Sequence, residues 1–152
     1  MAEIVARDIM TREVVTLSPE QSVTEAADIL SANRISGAPV VDADGGLIGI
    51  VSESDLIIQD VKLHFPHFIN LLDSYIYLGS LARFETTLKK AVAAKVKDIM
   101  SADVTTATPE APVEDIATIM VQRDVGLVPI MKDSRLVGVV SKGDIVRSLG
   151  GG

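Results

Sequence analysis

Asp8-Ile9-Met10 recurs as Asp98-Ile99-Met100, and the recurrence runs on through the chain. Pro19-Glu20, Val23 and Pro39 return as Pro109-Glu110, Val113 and Pro129, all at a spacing of 90. Ser52 and Asp55 return as Ser141 and Asp144 at a spacing of 89, because Gly45-Gly46 is shortened to Arg135 alone. A fixed spacing with one loop deletion requires two copies of one supersecondary unit. The 152 residues suffice for one ordinary domain, or for two half-size units sharing a core. Two like units packed face to face make two like clefts, so function is sought where the repeated polar residues point.

Each copy reads strand, helix, strand, strand, helix, an α/β (α+β) pattern. Val14 to Leu17 and Val104 to Ala107 are short β-rich runs. Ser22-Val23-Thr24-Glu25 has the form of a capping box, the serine oxygen taking an orphan N–H and the glutamate reaching back. Val23, Ala26, Ala27 and Leu30 follow at helical spacing, as do Val113, Ile116, Ala117 and Met120, which predicts core-facing stripes. Ala38 to Val41 and Leu47 to Val51 are apolar runs around a turn at Asp42 to Gly46; Val128 to Met131 and Leu136 to Val140 are their copies. These runs do not alternate with polar residues, so both faces are expected to be covered. A proline sits near the start of each first strand, where a missing ladder donor is tolerated. The expected division is repeat one at 1–57, repeat two at 95–149 and a flexible tail at 150–152.

Between the repeats, 58–94 has a different composition. All three phenylalanines, both tyrosines and both histidines of the chain lie there. Such a concentration of large side chains predicts a helical, aromatic insert packed on the core, on a partner or over a ligand. Lys89-Lys90 with Lys95 and Lys97 reads as the solvated face of a helix.

Several classes of function are disfavoured. A formal net charge of −7 argues against nucleic acid, which needs a basic stripe to displace counterions. There is no cysteine, so disulfides, thiolate metal sites and cysteine nucleophiles are excluded. No apolar run approaches the ~20 residues of a membrane span and no basic-then-apolar signal pattern opens the chain, so a cytoplasmic protein is expected. No Gly-Lys-Ser/Thr phosphate loop is present, and the only histidines are His64 and His67 of the insert. His64-x-x-His67, with Asp60 a turn earlier, has metal-ligand residue types, but Pro66 interrupts a regular helical turn. Neither catalysis nor a metal is expected.

Ser52-Glu53-Ser54-Asp55 and Ser141-Lys142-Gly143-Asp144 each stand where an apolar strand gives way to a helix. One reading is a capping box, with serine at the N-cap and aspartate three residues on. The other is a ligand site: a helix N-terminus offers free N–H groups and a positive dipole end to phosphate, and an aspartate can accept both hydroxyls of a ribose. Ile35-Ser36-Gly37-Ala38-Pro39 and Val125-Gly126-Leu127-Val128-Pro129 place small residues before a fixed-φ proline, where a flat purine edge could approach the backbone. A tight helix-to-strand connection explains the same residues.

Asp-Ile-Met, the pre-proline segment, Pro-Val-Val-Asp, Leu-x-Gly-Ile-Val-Ser and Ser-x-x-Asp, in order and in duplicate, resemble a tandem pair of CBS domains. The match covers about Val5 to Leu56 and Val96 to Leu149, and the insert is similar to that of small stand-alone bacterial or archaeal CBS-pair proteins. The resemblance implies two repeats packed about a pseudo-two-fold axis and a regulatory, energy-sensing module rather than an enzyme. It implies adenosine-containing ligands (AMP, ADP, ATP, S-adenosylmethionine or NAD) in the two clefts, with signalling by conformational change. Carried over by position, one cleft would use Val15, Thr16, Ile35, Ser36, Ala38 and Pro39 with Ser141, Lys142 and Asp144. The other would use Thr105, Thr106, Val125, Gly126, Val128 and Pro129 with Ser52 and Asp55. Family members that hold phosphate strongly often carry a basic residue two before the proline, and here those positions are Gly37 and Leu127. Lys142, Arg34 or Arg12 would have to substitute, which favours AMP over ATP and the cleft around Ser141. The resemblance also implies a disc-like homodimer and leaves open a structural or interaction module with empty clefts, serving a regulated enzyme or transporter.

Overall fold

The computed structural model describes residues 3–57 and 94–150, so the insert with His64, His67, Lys89 and Lys90 lies outside the described residues. The first half runs α1 (Ala6–Ile9), α2 (Val23–Asn33), β1 (Gly37–Val41) and β2 (Leu47–Ser52), followed by helical residues 53–57. The second runs α3 (Val96–Ile99), α4 (Val113–Arg123), β3 (Leu127–Lys132), β4 (Arg135–Ser141) and α5 (Lys142–Leu149). The expected α/β class and the duplicated order are what the fold displays.

The two long helices start differently and end alike. Ser22 Oγ accepts from the Glu25 N–H at 3.0 Å, satisfying one orphan donor of α2, whereas Pro112 opens α4 with no side-chain cap. Arg34 and Asp124 terminate α2 and α4 in the left-handed region, each at φ 53°, their N–H groups returning to carbonyls one turn back. Both residues are exposed.

β1–β2 and β3–β4 are antiparallel hairpins with one register shift each, beside Val40 and beside Ile130. The deleted residue changes the turn. In the first hairpin Asp42 Oδ1 accepts from the N–H groups of Asp44 and Gly46, and Gly45 takes φ 82°. In the second, Asp133 and Ser134 both take positive φ between paired Lys132 and Arg135, which matches the strand twist in two residues.

The expected strands at Val14 to Leu17 and Val104 to Ala107 contract to single parallel bridges, Leu17 to Val40 and Ala107 to Ile130. The Leu17 N–H donates to the Pro39 carbonyl and the Val41 N–H donates to the Leu17 carbonyl, both at 2.9 Å. The next rung would need an N–H from residue 39, which a proline lacks. Pro129 truncates the second copy in the same way.

The leading segments are exchanged between repeats. Ala6 is fully buried among Ile116, Met120, Val128, Ile130 and Val140, and Val96 is fully buried among Leu17, Ala26, Leu30, Val40 and Val51. Backbone bonds fasten each segment to the opposite copy: Ala6 N–H to Ala111 O at 2.8 Å and Val96 N–H to Gln21 O at 2.8 Å. Packing therefore assigns each Asp-Ile-Met to the half other than the one it precedes in sequence. Both described cores are aliphatic.

Each residue of Asp-Ile-Met has a task. Asp8 and Asp98 cap their single-turn helices, accepting from the N–H groups of Val5 and Lys95 at 3.0 Å. Ile9 and Ile99 lean on the opposite core. Met10 and Met100 lie over glycines of the opposite hairpin. A Cβ on Gly138 would stand 2.6 Å from Met10 Sδ and 3.1 Å from the Thr11 carbonyl, and one on Gly49 would meet Met100 and Ser101 at the same distances. Lys95 and Lys97, expected on a solvated helix face, are solvent-accessible and also bonded to Glu20 of the other repeat at 2.7 and 3.2 Å. Those two ammonium groups hold the Glu20 carboxyl below its ordinary range.

Gly138→Ala should therefore lower stability by about 1–3 kcal/mol through overpacking. Combined with Met10→Ala, the loss should be smaller than the sum of the single changes, because removing the thioether relieves the clash. Urea melts of the four proteins measure this, and strict additivity would show that the glycine does not serve the methionine contact.

Candidate functional site

Where the repeats face each other, two clefts open. The first, about 660 Å³, lies between the β1 entrance and the start of α5. Val15, Ile35, Ser36, Pro39, Ser141 and Lys142 border it, as placed from the sequence. Three residues of the expected set do not. Thr16 is exposed away from the wall, Ala38 is fully buried in the core, and Asp144 is turned into the helix start with 4% exposure.

Asp144 is occupied by the protein itself. It accepts from the Ser141 N–H at 2.9 Å while Ser141 Oγ accepts from the Asp144 N–H at 3.2 Å, a complete capping box. Thr11 Oγ1, from the exchanged segment, donates to the same carboxylate at 3.3 Å. Arg147, one turn along α5, closes the set as an ion pair. The geometry displays the capping reading of this residue, its oxygens serving the helix start, Thr11 and Arg147; the contact with a ribose stays an expectation.

Arg147 is the cation on this border that the sequence did not single out. Its side chain is exposed on the first cleft, with its guanidinium held by Asp144. Arg34, one of the named substitutes for the missing pre-proline cation, borders the cleft from its left-handed position at the end of α2. Arg12 does not line it. The wall carries three cations (Arg34, Lys142, Arg147) against Glu13 and Glu53, beside apolar Val15, Ile35, Leu127 and Val139.

The second cleft, about 470 Å³, is bordered by Ser52, Asp55, Thr105, Val125 and Gly126 of the expected set. Thr106 is exposed but off the wall, and Val128 and Pro129 are buried in the core behind it. Asp55 also caps, accepting from the Ser52 N–H at 2.8 Å, but it is half-buried and stays on the cleft wall. Asp103, Asp124 and Glu53 join it, with Lys142 the one cation among the described residues. Ser36, Gly37, Glu53, Leu127 and Lys142 border both clefts and form the ridge between them. The Lys142 stem lies over Gly126, where a Cβ would meet its Cε at 3.4 Å.

Among the described residues no group of three or more His, Asp or Glu is placed to hold a metal ion. None of the described helices is long and apolar enough to cross a membrane.

The CBS domain profile matches this chain twice, at residues 6–61 and 96–151. The uncharacterized protein MJ1426 of Methanocaldococcus jannaschii is 31% identical over 151 residues, covering 94% of this chain and 89% of its own length. The crystal structure of the CBS domain pair of protein MJ0100, in complex with 5′-methylthioadenosine and S-adenosyl-L-methionine, superposes with a TM-score of 0.72 at 26% identity, covering 99% of this chain and 98% of that one. CBSX2 in complex with AMP shares the fold, with a TM-score of 0.72 at 23% identity over 97% of this chain and 96% of that one.

Asp144→Ala should cost about 1–2 kcal/mol of stability, the loss of a helix cap. Asp55→Ala should cost less, because Asp144 also fastens Thr11 of the exchanged segment while Asp55 bonds only Ser52 among the described residues. Denaturant midpoints rank the two, and an equal cost would remove the claim that Asp144 ties the segments together.

Proposed function

The chain belongs to the CBS domain family, with two repeats in tandem, and on that premise we propose a regulatory module that binds an adenosine-containing ligand, with AMP favoured. The observation that carries this is the first cleft. Aliphatic Val15 and Ile35 flank the small-residue segment leading to Pro39, a wall suited to a flat purine. Opposite stands the start of α5, where free N–H groups and the dipole favour an anion, with Lys142 and Arg147 beside it. The cleft volume of about 660 Å³ falls within the ~300–1,000 Å³ usual for small-molecule sites.

Arg34, Lys142 and Arg147 face two carboxylates, and Arg147 is already partly neutralised by Asp144. That supply suits one phosphate better than three, so AMP is placed ahead of ADP and ATP. S-Adenosylmethionine is the further candidate, supported by its presence in the related MJ0100 pair. A cytoplasmic, energy-sensing role is part of the same proposal.

A homodimer is also proposed, supported by apolar side chains left outside. Val121 of α4 and Val146 and Leu149 of α5 are 82%, 65% and 80% exposed. Ile57, the first-repeat equivalent of Val146, is 62% exposed, so the duplication has kept an uncovered apolar position. Docking of a second copy would cover it.

AMP at a hundred times its dissociation constant should raise stability by about 2.7 kcal/mol, or roughly 5–10 °C in Tm for a chain of this size. Arg147→Ala should reduce that shift while leaving Asp144 in place. No shift with any adenine compound at millimolar concentration would favour the scaffold reading with empty clefts. Sedimentation should give a dimer that Val146→Glu with Leu149→Glu dissociates; a monomeric parent protein would end the dimer proposal.

A further inference from the structure

The duplication keeps the shape of the two clefts but reverses their charge. We propose that the second cleft rejects phosphorylated nucleosides and selects an adenosine-type ligand whose 5′ substituent is cationic, an inference that rests on reading the clefts as adenosine sites.

One pair of equivalent positions carries the reversal, and a second is shared by the two clefts. Arg34 and Asp124 occupy the same left-handed helix end in the two repeats, each bordering its own cleft. Glu53 and Lys142 occupy the same position after the capping serine and border both. Glu13 and Asp103 keep an acid in each cleft. Arg147, the third cation of the first cleft, corresponds in sequence to Ile58. Among the described residues the first cleft thus has three cations, one of them paired with Asp144, against Glu13 and Glu53, and the second has Lys142 against Glu53, Asp55, Asp103 and Asp124.

A phosphate entering the second cleft meets four like charges with one counter-charge, and like charges brought together in a partly desolvated site are strongly disfavoured. The helix start after Ser52 offers the anion little, because Glu53 and Asp55 already stand in that first turn. A cation there gains from the same carboxylates. Specificity arises from repulsion of the wrong ligand as much as attraction of the right one.

Calorimetry of the full chain with AMP, and then with S-adenosylmethionine at saturating AMP, tests this. The expected result is one AMP per chain and one S-adenosylmethionine bound alongside it, with AMP at least about tenfold weaker at the second cleft. Asp124→Arg, which copies Arg34 into the second repeat, should add a second AMP and weaken S-adenosylmethionine. Two equivalent AMP sites in the unaltered protein would overturn the charge selectivity while leaving the adenosine reading intact. Competition of the two compounds for a single site would do the same. Binding of no adenine compound would remove the adenosine reading and this inference with it. Failure of Asp124→Arg to gain AMP, with its circular dichroism unchanged, would overturn the assignment to that position; Asp103→Asn, which should weaken S-adenosylmethionine several-fold, checks the same cleft independently.

Discussion

The exchange of the two leading segments is the constraint on which the remainder of the molecule depends. An isolated two-stranded hairpin is marginal and needs further packing, and here each half's core takes in a turn of helix from the other. Ala6 and Val96 are small enough to be swallowed whole, and Gly138 and Gly49 let the following methionines lie against the opposite strands. Backbone bonds from Thr11 to Val139 and from Ser101 to Ile50 then extend each hairpin at its outer edge. Neither half owns its full set of contacts, so the halves are held facing each other and the clefts exist as a consequence of the packing.

The same exchange couples the fold to the site. Thr11 arrives from the amino-terminal segment and donates to Asp144, the residue that caps α5 and tethers Arg147. A side chain 133 residues from Asp144 in sequence therefore helps set the position of a cation within the cleft. Asp144 holds Arg147 in position, and its buried carboxylate is satisfied by three protein donors.

Much of this was legible in the residues. The duplicated register specified two copies, their order and the helix starts, because capping residues and apolar spacing are local signals. Strand length was less legible. Val14 to Leu17 has β composition, but the number of rungs is set by Pro39 in another segment, which withholds a donor. The exchange left no local trace at all: Asp-Ile-Met complements either hairpin equally well, since the hairpins are themselves copies. Ser-x-x-Asp was legible as a choice between cap and ligand group, and burial separates its two copies. Asp144 turned inward, whereas Asp55 caps yet keeps a face on the cleft. Arg147 escaped notice for a simple reason: it has no equivalent cation in the first repeat, so a search guided by repetition passes over it.

Where the copies differ is consequently as informative as where they agree. Residues serving the shared architecture are duplicated: Asp8 and Asp98, Gly49 and Gly138, Pro39 and Pro129. Residues on the cleft walls have diverged, and with opposite sign, at Arg34 and Asp124 and at Glu53 and Lys142. Glu53 and Lys142 stand on the ridge between the clefts, so each cleft feels both charges. A charge bound on one side must act on the groups that also face the other, since ionised groups a few ångströms apart in a partly enclosed site are incompletely screened. Any such coupling is reciprocal, each occupant altering the other's affinity by the same factor. Two clefts that share charged walls are in that respect a single electrostatic unit, and the divergence of the repeats has given that unit a direction.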